Sequence, residues 1–171
     1  RIESIADCIT PKTKVIVHNS PSNPTGAVSS ESFIKELIEI AQTHGIYVIS
    51  DEAYEHMVFE GRHISPARFD KDGNVISIFS FSKSYAMTGW RVGYVVSSEA
   101  IAKVLEKQQE LCVSCAPSIS QKAAEAALEL EHQHIDQMVQ QYGKRCKLAA
   151  EILKKHNLFS YNPQGAFYIL V

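Results

Sequence analysis

The chain has 171 residues and a mass of 19.0 kDa, with 45% hydrophobic and 21% charged residues, enough apolar material for one sizeable core. Seventeen Lys and Arg against nineteen Asp and Glu leave a formal charge of −2, so no global field draws the chain to nucleic acid or to an anionic membrane. No apolar run reaches the ~20 residues that span a bilayer, and no secretory pattern is visible, so the expected compartment is the cytoplasm.

Lys14 to His18 reads as a short buried strand, followed by a turn-rich stretch from Asn19 to Gly26. From Glu31 to His44 the apolar residues Phe33, Ile34, Leu37, Ile38 and Ala41 recur at helical spacing, and Gly45 stands where a C-cap belongs. Ile46 to Ser50, Val75 to Phe79 and Val92 to Val96 read as three further strands. These are continuous apolar runs rather than alternating ones, the pattern of α/β strands buried on both faces. The crossover helix makes the first two strands parallel. The short loop before the fourth lets it run antiparallel. Glu99 to about Leu111 is a helix. A long helix is expected from about Ile119 to His156, opened by a capping box of Ser118 and Gln121 and bent at Gly143. Phe167 to Val171 reads as a strand in mid-course. Such an edge is rarely left open at a natural terminus, and no Met opens the chain, so a fragment of a longer protein is expected.

Four cysteines, Cys8, Cys112, Cys115 and Cys146, are too few for a disulfide framework at this length. The lone CxxC of Cys112 and Cys115 lacks the second pair of a zinc ribbon and reads as small residues ahead of a helix.

Polar residues gather at one place in the topology. Asn23, Asp51 and Lys83 each follow the C-terminal end of a buried strand, where open α/β sheets bind ligands. A lysine amine held against apolar surroundings becomes available to condense with an aldehyde. A nearby carboxylate can hold a protonated pyridine nitrogen. A Schiff-base lysine with an acidic partner is the signature of pyridoxal 5′-phosphate (PLP) chemistry. Ser80, Ser82 and Arg91 flank the lysine and offer hydroxyl and guanidinium donors to a phosphate.

At these residues the sequence resembles the fold type I, PLP-dependent aminotransferases of class I and II. The matching stretches are SNPTG at Ser22 to Gly26, SDEAY at Ser50 to Tyr54, and SFSKSYAMTGWRVGY at Ser80 to Tyr94. PQGAFY at Pro163 to Tyr168 is similar to the family's entry into its small domain. The resemblance implies a three-layer α/β/α fold with a mostly parallel sheet. Residues 1–160 would be part of the large PLP-binding domain, and 161–171 the start of the small C-terminal domain. It implies that Lys83 attaches PLP and then moves the proton, and that Asp51 keeps the pyridine nitrogen protonated. Tyr54 and Asn23 would hydrogen-bond the ring's phenolic oxygen. Ser80, Ser82 and Arg91 would bind the phosphate, with Gly93 allowing close packing beside it. The implied reaction moves an amino group from an L-amino acid to a 2-oxo acid, with aspartate and 2-oxoglutarate as the first pair, in a homodimer. The fragment alone would be inactive. Two other readings use the same cofactor residues: a PLP lyase or synthase (a C–S lyase or an aminocyclopropane-carboxylate synthase), and the PLP-binding effector domain of a transcription regulator.

Neighbouring residues carry structural readings. Glu52 should point away from Asp51 and form an ion pair. Trp90 should pack. His132 and His134, two apart on a helix, do not share a face and make poor metal ligands. Lys144, Arg145 and Lys147 read as a solvated helix face. His18 and His56 lie near the site, where a supporting role is the weakest expectation.

Overall fold

The computed structural model describes residues 2–130 and 132–171. Helix α1 (Ile2–Cys8) leads to strand β1 (Val15–Asn19), helix α2 (Glu31–His44), strand β2 (Tyr47–Asp51) and strand β3 (Val75–Ser80). The one-turn helix α3 (Phe81–Ser84) follows, then β4 (Gly93–Val96), α4 (Glu99–Val113), α5 (Ser118–Glu129) and α6 (Gln133–Lys155). The strands form one sheet in the order β1-β2-β3-β4. The β1–β2 and β2–β3 pairs are parallel, and β3–β4 is antiparallel as the short loop allows.

Helix α2 forms where the sequence places it. Ser30 caps its start by accepting a hydrogen bond from the Phe33 N–H at 3.2 Å, and Gly45 closes its end. Ile34, Leu37, Ile38 and Ala41 are buried, and the last three pack with Ile46, Val48 and Val75. Phe33, Ile16 and residues of α1 seal this core. Alternation along β2 turns Val48 and Ser50 to the α2 side, both with 0% exposure.

The structure departs from the sequence reading in four places. The other sheet face is not buried: Val15, Val17, Tyr47 and Ile78 are exposed, Val17 at 71%, as is all of β4. An apolar run records what a strand is suited to contact, and the elements described cover only the face carrying Val48. The expected long helix is two helices: α5 ends at Glu129 with Leu130 extended, and α6 begins at Gln133 and runs unbroken through Gly143. The reason is packing. Ala124 and Ala127 of α5 join Phe81, Met87 and Val92, whereas Met138, Val139 and Tyr142 of α6 pack on Tyr54 and Met57. One straight rod cannot serve both cores. No capping box opens α5: the N-cap is Pro117, without a side-chain cap, and the Gln121 amide donates instead to the Ala116 carbonyl at 2.7 Å. Finally, residues 167–171 form no strand; the bridge nearest to them is the single one between Val58 and Gly165. Helices α1 and α3 are too short for their periodicity to register in the sequence.

Candidate functional site

The site is assembled at the C-terminal ends of β1, β2 and β3. Asp51 is the last residue of β2, on the sheet face opposite Ser50. Its Oδ1 accepts a hydrogen bond from the Ala53 N–H at 3.1 Å, and its carbonyl accepts one from the Asn19 amide at 3.1 Å. Asn19, at the end of β1, also accepts from the Asn23 N–H at 2.7 Å, which ties the Ser22–Gly26 turn to the end of the sheet.

Tyr54 is buried at 4% exposure. Its hydroxyl lies 2.8 Å from that of Tyr168. Burial, then Tyr168 and the Asp51 charge, push the Tyr54 hydroxyl well above the usual phenol range, while the Asn23 side chain acts in the opposite sense. Tyr54 therefore stays protonated at neutral pH and can donate.

Lys83 stands in α3, not at the bare end of a strand. Ser80 caps that turn: its Oγ accepts from the Ser82 N–H at 3.2 Å. The Lys83 Nζ lies 6.0 Å from the centre of the Tyr54 ring and 5.6 Å from that of Phe167. Beyond it the chain turns through Ala86 and Arg91, both with positive φ. Arg91 is exposed, and its Nη1 donates to the Thr88 carbonyl at 3.0 Å. Gly93 begins β4 against Phe79, and a Cβ there would lie 2.5 Å from the Phe79 carbonyl oxygen. Only glycine permits that approach.

Asn23, Asp51, Tyr54 and Lys83 thus lie in one neighbourhood: Lys83 is against the Tyr54 ring, Tyr54 is within reach of the Asn23 side chain and the Asp51 charge, and Asn19 ties Asn23 to Asp51. Ser80 and Ser82 share the helical turn of Lys83, and Arg91 closes the loop after it. Sequence reasoning missed three side chains that line this cluster: Asn19, Phe167 and Tyr168. The last two arrive because the 163–168 segment folds back over the turn at Gly26, whose carbonyl accepts from the Gln164 and Gly165 N–H groups at 2.8 and 2.9 Å. Gly26 has φ +68°, and a Cβ there would lie 2.5 Å from Pro163 Cβ. The available signal was the aromatic pair inside PQGAFY.

Neighbours fall out differently. Glu52 turns to the opposite face, as expected, and its Oε2 lies 2.6 Å from His63 Nε2, a pairing that is ionic when the imidazole is protonated. Trp90 is 43% exposed, so packing within this chain does not account for it. His18 is buried under Phe33, and His56 faces His132 across 5.7 Å. Cys112 and Cys115 are both exposed, at and beyond the end of α4.

A model of the family "aminotransferase class I and II" matches residues 2–171. The chain belongs to that family. It is 38% identical to an aspartate aminotransferase of Thermotoga maritima, over 98% of this chain and 44% of the relative. It is 42% identical to a (5-formylfuran-3-yl)methyl phosphate transaminase of Methanocaldococcus jannaschii, over 98% of this chain and 45% of that protein. The crystal structure of the Thermotoga maritima aspartate aminotransferase superposes with a TM-score of 0.91 at 37% identity, covering 99% of this chain and 44% of that one. An aromatic aminotransferase of Pyrococcus horikoshii superposes at 0.93 with 35% identity, over 97% and 46%. The chain spans about half the length of the curated relatives it matches. The fold is therefore the α/β fold of the aminotransferases, represented here by part of the large domain.

Proposed function

We propose that the whole protein to which this chain belongs is a PLP-dependent aminotransferase. The observation that carries the reading is the Lys83 amine beside the Tyr54 ring, with Tyr54 linked to Asn23 and Asp51 at the strand ends. This donor set fits PLP: one amine for covalent attachment, one carboxylate for the pyridine nitrogen, a phenol and an amide for the ring oxygen, and hydroxyls with a guanidinium for the phosphate. The close approach at Gly93 packs β4 against β3 next to the turn that carries Ser80, Ser82 and Lys83.

Bound PLP supplies an electron sink for negative charge at the substrate Cα. Lys83 holds the cofactor and later carries the proton to and from that carbon. Asp51 keeps a proton on the ring nitrogen, oriented by its bond from the Ala53 N–H. Tyr54 and Asn23 donate to the ring oxygen. Ser80, Ser82 and Arg91 take the phosphate. Residues 1–160 are assigned to the large domain and 161–171 to the start of the small one. The protein is read as a cytoplasmic homodimer on the family resemblance. No described helix is long and apolar enough to cross a membrane.

Aspartate and 2-oxoglutarate are the proposed substrate pair; the names of several relatives support aspartate, and the 2-oxo acid rests on the family resemblance. Those names favour transamination over the lyase and regulator readings. The test is product analysis with the PLP-loaded whole protein: oxaloacetate and glutamate are expected, and Lys83→Ala abolishes both. Ammonia and pyruvate as the products, or no turnover with any amino acid, would contradict it.

A further inference from the structure

Glu52 sits between the two residues assigned to the cofactor ring, Asp51 and Tyr54, yet it faces the other way. It is completely buried. Its backbone N–H donates to the Ile78 carbonyl of β3 at 2.9 Å, continuing the ladder one step past the end of β2. Its side chain reaches across the base of a long loop: Oε2 lies 2.6 Å from His63 Nε2, and Oε1 accepts from the Ser65 hydroxyl at 2.9 Å. Between these anchors, residues 53–62 hold only turns and the single bridge at Val58. Nothing periodic fixes the backbone that carries Tyr54.

A charged carboxylate in such a place must be fully hydrogen-bonded. Burial alone would raise its pKa, but the hydrogen bonds from His63 and Ser65 and the His63 charge hold it below the usual carboxylate range. Glu52 is then an acceptor at both oxygens, which puts the shared proton on His63 Nε2. The other titratable groups near it are His18 of β1, at the same level of the sheet as Ser50, Glu55 of the same loop and Tyr94 of β4.

We propose that Glu52 is a positioning residue. It closes the 52–65 loop on itself through His63 and Ser65, and so fixes the angle at which Asp51 and Tyr54 meet the cofactor ring. This rests on the reading of Asp51 and Tyr54 as ring partners. Glu52 touches neither cofactor nor substrate, because it lies on the opposite sheet face. An ion pair serving only the core would not need both ends of the loop.

The test uses the whole protein, with and without PLP, as wild type, Glu52→Gln, His63→Leu and His63→Gln. A carboxamide offers one acceptor where two donors converge, so Glu52→Gln should loosen the loop. His63→Leu removes a donor, and His63→Gln restores one. Amide exchange at Ala53, whose N–H binds Asp51, is compared with exchange at Val48 inside β2. In Glu52→Gln and His63→Leu, Ala53 should exchange about tenfold faster relative to Val48, and PLP should bind about tenfold more weakly, the scale of one lost hydrogen bond to a charged group. The visible circular dichroism of bound PLP should fall as well. His63→Gln should recover most of each change. Parallel speeding of Ala53 and Val48 with unaltered affinity and dichroism would reduce Glu52 to a core ion pair and overturn the proposal. If Glu52→Gln does not fold, an unchanged His63→Leu overturns it equally. Wild-type protein that takes up no PLP would sink this proposal together with the assignment of the ring partners. Normal uptake with unchanged variants would sink this one alone.

Discussion

Glu55 carries a carboxyl that burial pushes up to about 7. The unfolded chain titrates the same group near 4.5. The folded state therefore binds the proton more tightly. The cost is absent well below the unfolded value, grows as pH rises between the two, and is complete above 7. Glu55→Gln should stabilise the fold at pH 8 and leave it nearly unchanged at pH 4, read from denaturant midpoints. Glu52 has the opposite sign: its folded value is depressed, so its contribution is present above the unfolded carboxylate value and is lost as pH falls through the folded one. Removing the Tyr54 hydroxyl tests the ring contact. Tyr54→Phe in the whole protein should weaken PLP binding about tenfold, the scale of one hydrogen bond, and unaltered affinity would argue against that contact. At this scale the sequence was informative where a functional residue ends a strand. Asp51 and Lys83 announce themselves because a charged residue closing an apolar run has few structural reasons to be there. Tyr168 did not, since it meets Tyr54 across 114 positions and local pattern carries no record of such a contact.

Helix α2 is the element whose sequence and structure agree most closely. Its cap, its apolar stripe and its glycine stop are all local features, and each is worth a measurable amount. Ser30→Ala should cost about 1 kcal/mol by loss of the cap. Leu37→Ala, at a fully buried position, should cost about 2–5 kcal/mol, both read by urea unfolding. A Leu37→Ala effect below that range would mean that the core between α2 and the sheet collapses around the gap. The break between α5 and α6 was illegible for a complementary reason. The sequence from Ile119 to His156 is helix-favouring throughout, and the interruption comes from two helix faces that serve two different cores. Residues 167–171 fail as a strand in the same way: β-favouring side chains specify readiness to pair, and a neighbouring strand must still be present.

At the scale of the molecule, one sheet face is packed and the other is open. Val15, Val17, Tyr47, Ile78 and Val95 are exposed apolar residues on that open face, of the kind that marks an interaction face. The isolated 171 residues should accordingly bind an apolar dye strongly and self-associate, and should show no transamination. Keto acid formation by the isolated chain would contradict the second expectation. Because the chain spans about half the length of its relatives, the proposed transamination is assigned to the whole protein and not to these residues alone. Whether Lys83 is the cofactor lysine can be read by trapping the attached cofactor. The whole protein is incubated with PLP, reduced with borohydride, digested, and the pyridoxyl label located by mass spectrometry, with Lys83→Ala alongside. Label should be confined to Lys83 and absent from the variant. Label scattered over surface lysines, and unchanged in Lys83→Ala, would contradict it.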